Sequence, residues 1–247
     1  MLAQIDSLAA KLKQRIAVDA GAMHRVQCLN RYFFQELGFA GNVNDYYDAR
    51  NSHLQHVLTT RLGIPIPEEE GGAGLDTLAY AIAIEEIGRV WGSLGLIVAA
   101  HTSLGCGPLH LAGTPEQQAR YLVPMARGEV IGAYGLTESG AGSDSGGTRT
   151  TARHEDRPEG GSWVIDGSKR FITNAGQAGT YIVTARTGTR GDGGPEISAF
   201  IVSADTPGFS VGRLEEKLGL HASATGELRF EGARVTAANL LGERGSG

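Results

Sequence analysis

Gly135–Gly147 reads GLTESGAGSDSGG, the densest glycine cluster in the chain. Its setting decides how it is read. Val130–Thr137 (VIGAYGLT) is short, apolar and β-prone, and Thr148–Ala152 (TRTTA) reads as a second strand. A glycine loop between strands differs from one that opens a helix. A Rossmann loop needs G-x-G-x-x-G at a helix start; after Gly140 and Gly142, Ser145 stands where the third glycine belongs, and no helix pattern follows. A Walker loop needs Gly-Lys-Ser/Thr, which this stretch lacks. The loop can still bind an anion, because successive backbone N–H groups form a concavity. Thr137 and Ser143 would add hydroxyl donors. The residues alone leave two readings open, a phosphate- or cofactor-binding loop and a plain long turn.

Downstream, the chain is punctuated by short β-prone runs. Ser162–Ile165, Arg170–Thr173, Tyr181–Thr187, Ile197–Val202, Phe209–Val211 and Gly226–Phe230 are strand candidates. Asp166-Gly167 predicts a hairpin turn between the first two. Residues 186–196 contain TGTRGDGGP, a polar glycine-rich stretch expected to be a surface hairpin tip. Strands at this spacing predict an all-β sandwich or barrel.

Upstream, the period changes to that of helices. Leu2, Ile5, Leu8, Ala9 and Leu12 follow helical steps, as do Leu78, Ile82, Ile87 and Val90 with Ile84 one position off. Thr114-Pro115-Glu116 predicts an N-cap, a first-turn proline and an early acid, with the helix stopping at Gly128. The expected class is α+β, a helical N-terminal half followed by an all-β domain. The expected divisions are 1–66, 67–128 and 129–247.

Composition narrows the function. The 247 residues hold 37 glycines but only 8 prolines, with no glycine period, which excludes collagen. A net charge of −5 disfavours nucleic acid as a partner. The longest clean apolar run, Leu96–Ala100, is far short of a membrane span. Cys28 and Cys106 cannot make a disulfide framework, and a reducing cytoplasm is the expected location.

Tyr134–Ala152 (YGLTESGAGSDSGGTRTTA) resembles the flavin-binding signature of the acyl-CoA dehydrogenases. Gly167–Thr187 (GSKRFITNAGQAGTYIVTART) resembles that family's second flavin-contacting strand, and Ile197–Val235 the rest of its middle β-domain. PEEEGGAGLDTLAYAIAIEEIGR and GTPEQQARYLVPMARGE resemble its N-terminal helical domain. The likeness spans about residues 67–247, in family order. It implies FAD as cofactor, an acyl-CoA thioester as substrate, an electron-transfer flavoprotein as acceptor and a homo-oligomer.

Residue by residue, the resemblance places Tyr134, Leu136 and Thr137 along the isoalloxazine. Gly142 and Ser143 would approach the pyrophosphate or the acyl-CoA. Phe171, Ile172 and Thr173 match the strand covering one flavin face, where the family usually has Trp in place of Phe171. Ser139 and Thr236 replace common prolines. The short- and medium-chain members are the nearest in pattern.

The family carries a further helical domain, holding the catalytic glutamate, after the NLLGE-x-G-x-G segment at which this chain stops. No catalytic base is therefore assigned. Glu85, Glu86 and Glu138 match structural acids, and the expectation is a chain that binds FAD weakly and is inactive alone.

The start of the chain is different. Arg25–Ile66 contains LNRYFFQELGF, YYDARNSHL and RLGIPI and resembles a bacterial transglutaminase-like family. The change falls near Ile66–Pro67, and a composite of two unrelated pieces is expected.

The residues allow three other readings. Ser145 with His101 forms a weak serine-hydrolase pair, only 44 positions apart. His101, Cys106 and His110 invite a metal, with Cys106 and His110 one helical turn apart, but supply no fourth ligand, and no metal is expected. The third is a non-catalytic remnant without ligand.

Overall fold

The computed structural model describes residues 65–75, 77–156 and 160–247. The helix expected over Leu2–Leu12 and the segment through residue 64 lie outside them.

Among the described residues, a short 3-10 turn at Glu68–Glu70 and three longer helical segments precede the sheet. α1 spans Thr77–Val90. α2 spans Gly92–Ala112 and is π-helical over Ala100–Cys106. By length and composition α2 could cross a membrane, and 56% of its most apolar window is buried inside the structure. α3 occupies residues 115–126. Its start is the one expected: Gln117 N–H donates to Thr114 Oγ1 at 3.2 Å, and Thr114 N–H donates to Gln117 Oε1 at 3.0 Å. This capping box satisfies two end-of-helix donors, and Pro115 fills a position where no N–H is needed. Gly128, at φ 72°, ends the segment.

The rest of the described chain forms one eight-stranded sheet. Its strands are β1 Gly132–Gly135, β2 Thr151–Glu155, β3 Ser162–Thr173, β4 Thr180–Thr189, β5 Pro195–Ser203, β6 Phe209–Leu214, β7 Thr225–Thr236 and β8 Leu240–Leu241. The order is β6-β7-β3-β2-β4-β5-β8, with β1 also paired to β4. β1 and β2 both run parallel to β4, β1 beside Thr180–Val183 and β2 at Arg186. The glycine loop is thus the excursion between two segments that share one neighbouring strand.

One expectation is corrected. Asp166-Gly167 is not a hairpin turn; it lies inside the continuous twelve-residue β3. The turn chemistry serves a bulge instead. Opposite it β7 carries an extra residue, between the partners of Ile165 and Gly167, and Asp166 Oδ1 accepts the Gly232 N–H at 2.6 Å. Gly167 has φ 141°, and a Cβ there would come within 2.8 Å of Thr150 Cα. The polar stretch after Gly188 is the hairpin tip expected, closed by Arg190 N–H to Gly194 O at 2.7 Å.

The sheet curls around a core of its own. Trp163, Ile165, Tyr181, Val183, Phe200, Val202, Leu228 and Phe230 fill it. Aromatic contacts cross it, with Trp163 and Phe200 centroids 5.2 Å apart and Tyr181 and Phe209 4.8 Å apart. The alternate residues of β4 and β5, Ile182, Ala199 and Ile201, face outward into a second core with Leu109, Leu122 and Met125 of the helices. Burial on both faces explains why these strands read as continuous apolar runs.

Candidate functional site

β1 continues into the glycine loop alongside the far half of β3. Arg170 N–H donates to Thr137 O at 2.7 Å, and Asn174 Nδ2 to Gly132 O at 3.1 Å. Six of the eight expected site residues therefore sit on two adjoining backbone segments, Tyr134, Leu136 and Thr137 on one and Phe171, Ile172 and Thr173 on the other. Gly142 and Ser143 lie farther along, on the exposed loop.

These residues divide by what they offer. Ile172 is 3% exposed and belongs to the sheet core, so only its backbone is available to a ligand. Tyr134 packs against the second core, and burial pushes its hydroxyl above the ordinary value. Thr137 and Thr173 are half-buried, and among the described residues their hydroxyls have no protein partner. Gly142 and Ser143 have backbone N–H groups equally without one among those residues. A Cβ on Gly142 would meet nothing within 4 Å, so the protein itself does not require glycine there.

Of the eight expected site residues, Phe171 is the one with a left-handed backbone, which Asn174 and Leu220 also adopt. β3 has one residue more than β7 between Lys169 and Ile172, and this bulge puts Phe171 at φ 58°. A side chain in that left-handed region costs about 1–2 kcal/mol. Phe171 is nevertheless 59% exposed, so little burial among the described residues offsets that cost. Strain of this kind gathers where a ligand is clamped.

Beneath the loop lies a feature that the residue patterns did not disclose. Lys169 is fully buried, and its Nζ donates to Glu138 Oε1 at 2.8 Å, Leu136 O at 3.0 Å and Thr184 Oγ1 at 3.2 Å. Glu138 also accepts Arg149 N–H at 2.8 Å and Thr150 N–H at 3.0 Å. Burial pushes the Glu138 carboxyl up, but the bonds from Lys169, Arg149 and Thr150 together hold it below the usual value. Burial draws the Lys169 ammonium down against the pull of Glu138. The structural part expected of Glu138 is this pairing. Glu85 is exposed and paired with Arg89, while Glu86 is buried in α1 beside the same arginine.

The serine-hydrolase and metal readings lose their residues to packing. His101 Nδ1 accepts the Gly132 N–H at 2.9 Å, and its Nε2 bonds Met125 O at 3.0 Å. Both ring nitrogens join α2 to the backbone, leaving none to serve Ser145. Cys106 packs against His101, whereas His110 bonds Glu70 at 2.6 Å. The two residues one turn apart thus point to different neighbours.

His101 predicts an acid sensitivity. Burial lowers its pKa to about 4, against the pull of Met125 O, from about 6.5 in an unfolded chain. Between these values the unfolded state binds the extra proton, so stability is full above pH 6.5 and falls toward pH 4. The loss should be about 3 kcal/mol. Urea unfolding against pH should show it, and His101→Gln should flatten that slope; equal slopes would refute the assignment.

The architecture, a β-domain capped by helices, has close counterparts among solved structures. Butyryl-CoA dehydrogenase from Megasphaera elsdenii superposes with a TM-score of 0.80 at 34% identity, over 94% of this chain and 61% of that one. An acyl-CoA dehydrogenase complexed with FAD from Bacillus anthracis does so with a TM-score of 0.78 at 35% identity, over 94% and 39%. Residues 60–129 match the acyl-CoA dehydrogenase N-terminal domain and residues 133–233 the acyl-CoA dehydrogenase middle domain. The short-chain specific acyl-CoA dehydrogenase of Clostridium acetobutylicum is 50% identical over 186 residues, 75% of this chain and 48% of that protein. The chain spans about half the length of the curated relatives it matches. Residues 1–67 match the transglutaminase-like superfamily instead. That match is consistent with a composite chain, its change of resemblance near residue 66.

Proposed function

We propose that residues 67–247 form the FAD-holding portion of an acyl-CoA dehydrogenase, acting on short- or medium-chain thioesters. The observation that carries this is Phe171, strained and exposed beside a loop of unpartnered donors. The donor set fits the group. N–H groups at Gly142 and Ser143 suit the pyrophosphate or the acyl-CoA, because oriented backbone dipoles attract anions without a charged side chain. Thr137 and Thr173 hydroxyls and the backbone of Tyr134, Leu136 and Ile172 suit the polar edge of the isoalloxazine. The Phe171 ring suits its face. When bound, FAD supplies the two-electron acceptor for α,β-dehydrogenation of an acyl-CoA. An electron-transfer flavoprotein as acceptor and a homo-oligomeric assembly belong to the same reading.

Of the carboxylates considered for catalysis, Glu138 is bound by Lys169, Arg149 and Thr150, and Glu85 and Glu86 lie on α1 beside Arg89, so none is assigned as the base for the α-proton. The expected outcome is that the purified chain quenches flavin fluorescence on titration with FAD, binds weakly, and does not oxidise butyryl- or octanoyl-CoA. Absence of FAD uptake would overturn the cofactor reading; measurable turnover would overturn the expectation of inactivity.

A further inference from the structure

The glycine loop is held from below by a single buried ion pair. Glu138, three residues beyond β1, binds the N–H groups of Arg149 and Thr150 at the loop's far end. Lys169 ties that carboxylate to Leu136 O at the loop's entry and to Thr184 of β4. Thr184 Oγ1 in turn donates to Gly135 O at 3.4 Å. This charged contact cross-links the two loop ends, which also share β4 as a neighbour.

The same lysine is the last paired residue before the β3 bulge that turns Phe171 outward. Loop and aromatic, the two halves of the proposed cofactor site, share this anchor. A plain turn would not need it. Burying an ammonium and a carboxylate is expensive, and an apolar pair of similar size often serves stability equally well. What an apolar pair could not do is bind two backbone N–H groups and a carbonyl in fixed directions.

We infer that Glu138 and Lys169 are positioning residues for FAD: they hold the Gly140–Gly146 loop and the Phe171 bulge at the spacing the cofactor needs, without touching it. This rests on the FAD reading above. Removing the pair should loosen the loop in the ligand-free protein as well as weaken binding.

The test uses the full chain with Glu138→Gln, which leaves the shape and removes the charge. Thr184→Val is a second, milder variant that removes one acceptor of Lys169 and strands no charge. Hydrogen exchange of the Arg149 and Thr150 amides should accelerate at least tenfold in Glu138→Gln, with β5 amides unchanged. The Kd for FAD should rise at least tenfold, and the visible absorption bands of the bound flavin should shift. Thr184→Val should show the same changes at smaller size, and it decides the matter if Glu138→Gln does not fold. Unchanged exchange at Arg149 and Thr150 in folded variants would overturn the inference. Faster exchange with unaltered FAD affinity and bands would overturn it too, as the mark of a merely structural pair. Failure of the wild-type chain to bind FAD is a separate result, visible before any variant is made, and it removes the cofactor reading itself.

Discussion

Gly105→Val is expected to unfold roughly 10 °C below the wild type and to lose most FAD binding. The reason is a backbone-to-backbone approach. A Cβ at Gly105 of α2 would lie 2.9 Å from Gly132 Cα and 3.0 Å from Gly132 C, with Met125 Cε at 3.1 Å. Gly132 faces the same limit, since a Cβ there would lie 2.9 Å from Gly105 Cα. A side chain can rotate away from a clash, but two backbones cannot. Overpacking a core costs about 1–3 kcal/mol when side chains adjust, so a rigid contact should reach about 3 kcal/mol or more, and each kcal/mol is worth roughly 2–4 °C at this size. Gly132 is also where His101 and Asn174 bond the backbone. Pushing α2 outward breaks these contacts and displaces β1, which leads directly into the glycine loop. Gly107→Ala, two residues on, is the control. Its Cβ would meet only Thr102 O at 3.8 Å, and a helical Gly→Ala exchange should stabilise by about 0.5–1 kcal/mol. Thermal unfolding of the two variants measures the contrast; equal melting temperatures would remove close packing as the reason for glycine at 105.

Phe171→Gly is expected to move stability and binding in opposite directions. Glycine adopts φ 58° without the Cβ conflict. The ring it removes is more than half exposed, so the apoprotein gives up little packing. Folding stability should rise by about 1 kcal/mol. FAD affinity should fall about tenfold or more, because an aromatic face contributes on the order of 1–2 kcal/mol to stacking and area burial. Phe171→Trp, the residue usual in the family at this point, should bind FAD more tightly. Urea unfolding and fluorescence titration test both halves. A destabilised Phe171→Gly chain with unchanged affinity would show that the ring serves the fold and not the cofactor.

The site was partly legible in the residues. The glycine loop stood out by its composition, whereas Phe171 and Thr173, ordinary strand residues, came only from the resemblance to the family. Lys169 did not stand out, although the signal was there. Trp163, Ile165 and Lys169 lie buried at odd-numbered positions of β3, opposite Val235, Ala233 and Leu228 of β7. Reading Asp166-Gly167 as a turn cut that alternation in half and hid the buried lysine. The chemistry of the dipeptide was right for a tight backbone; the partner it serves, the bulge of β7 sixty-six positions away at Gly232, lies beyond local sequence. Ile172 shows the reverse limit. It matched a ligand-facing strand, but the bulge at Phe171 turns its side chain into the core, because one inserted residue changes which face each following residue takes.

By itself the sequence determined the α+β class, the helix start at Thr114, the strand-to-strand setting of the glycine loop and the change of resemblance near residue 66. Those are properties of period, capping and local turn chemistry, which act over a few residues. Tertiary structure decided what sits under the loop and what faces it. The Glu138–Lys169 pair spans 31 positions and the Gly105–Gly132 approach spans 27. Neither has a local signature, because a buried charge or a missing Cβ takes its meaning only from the group brought against it.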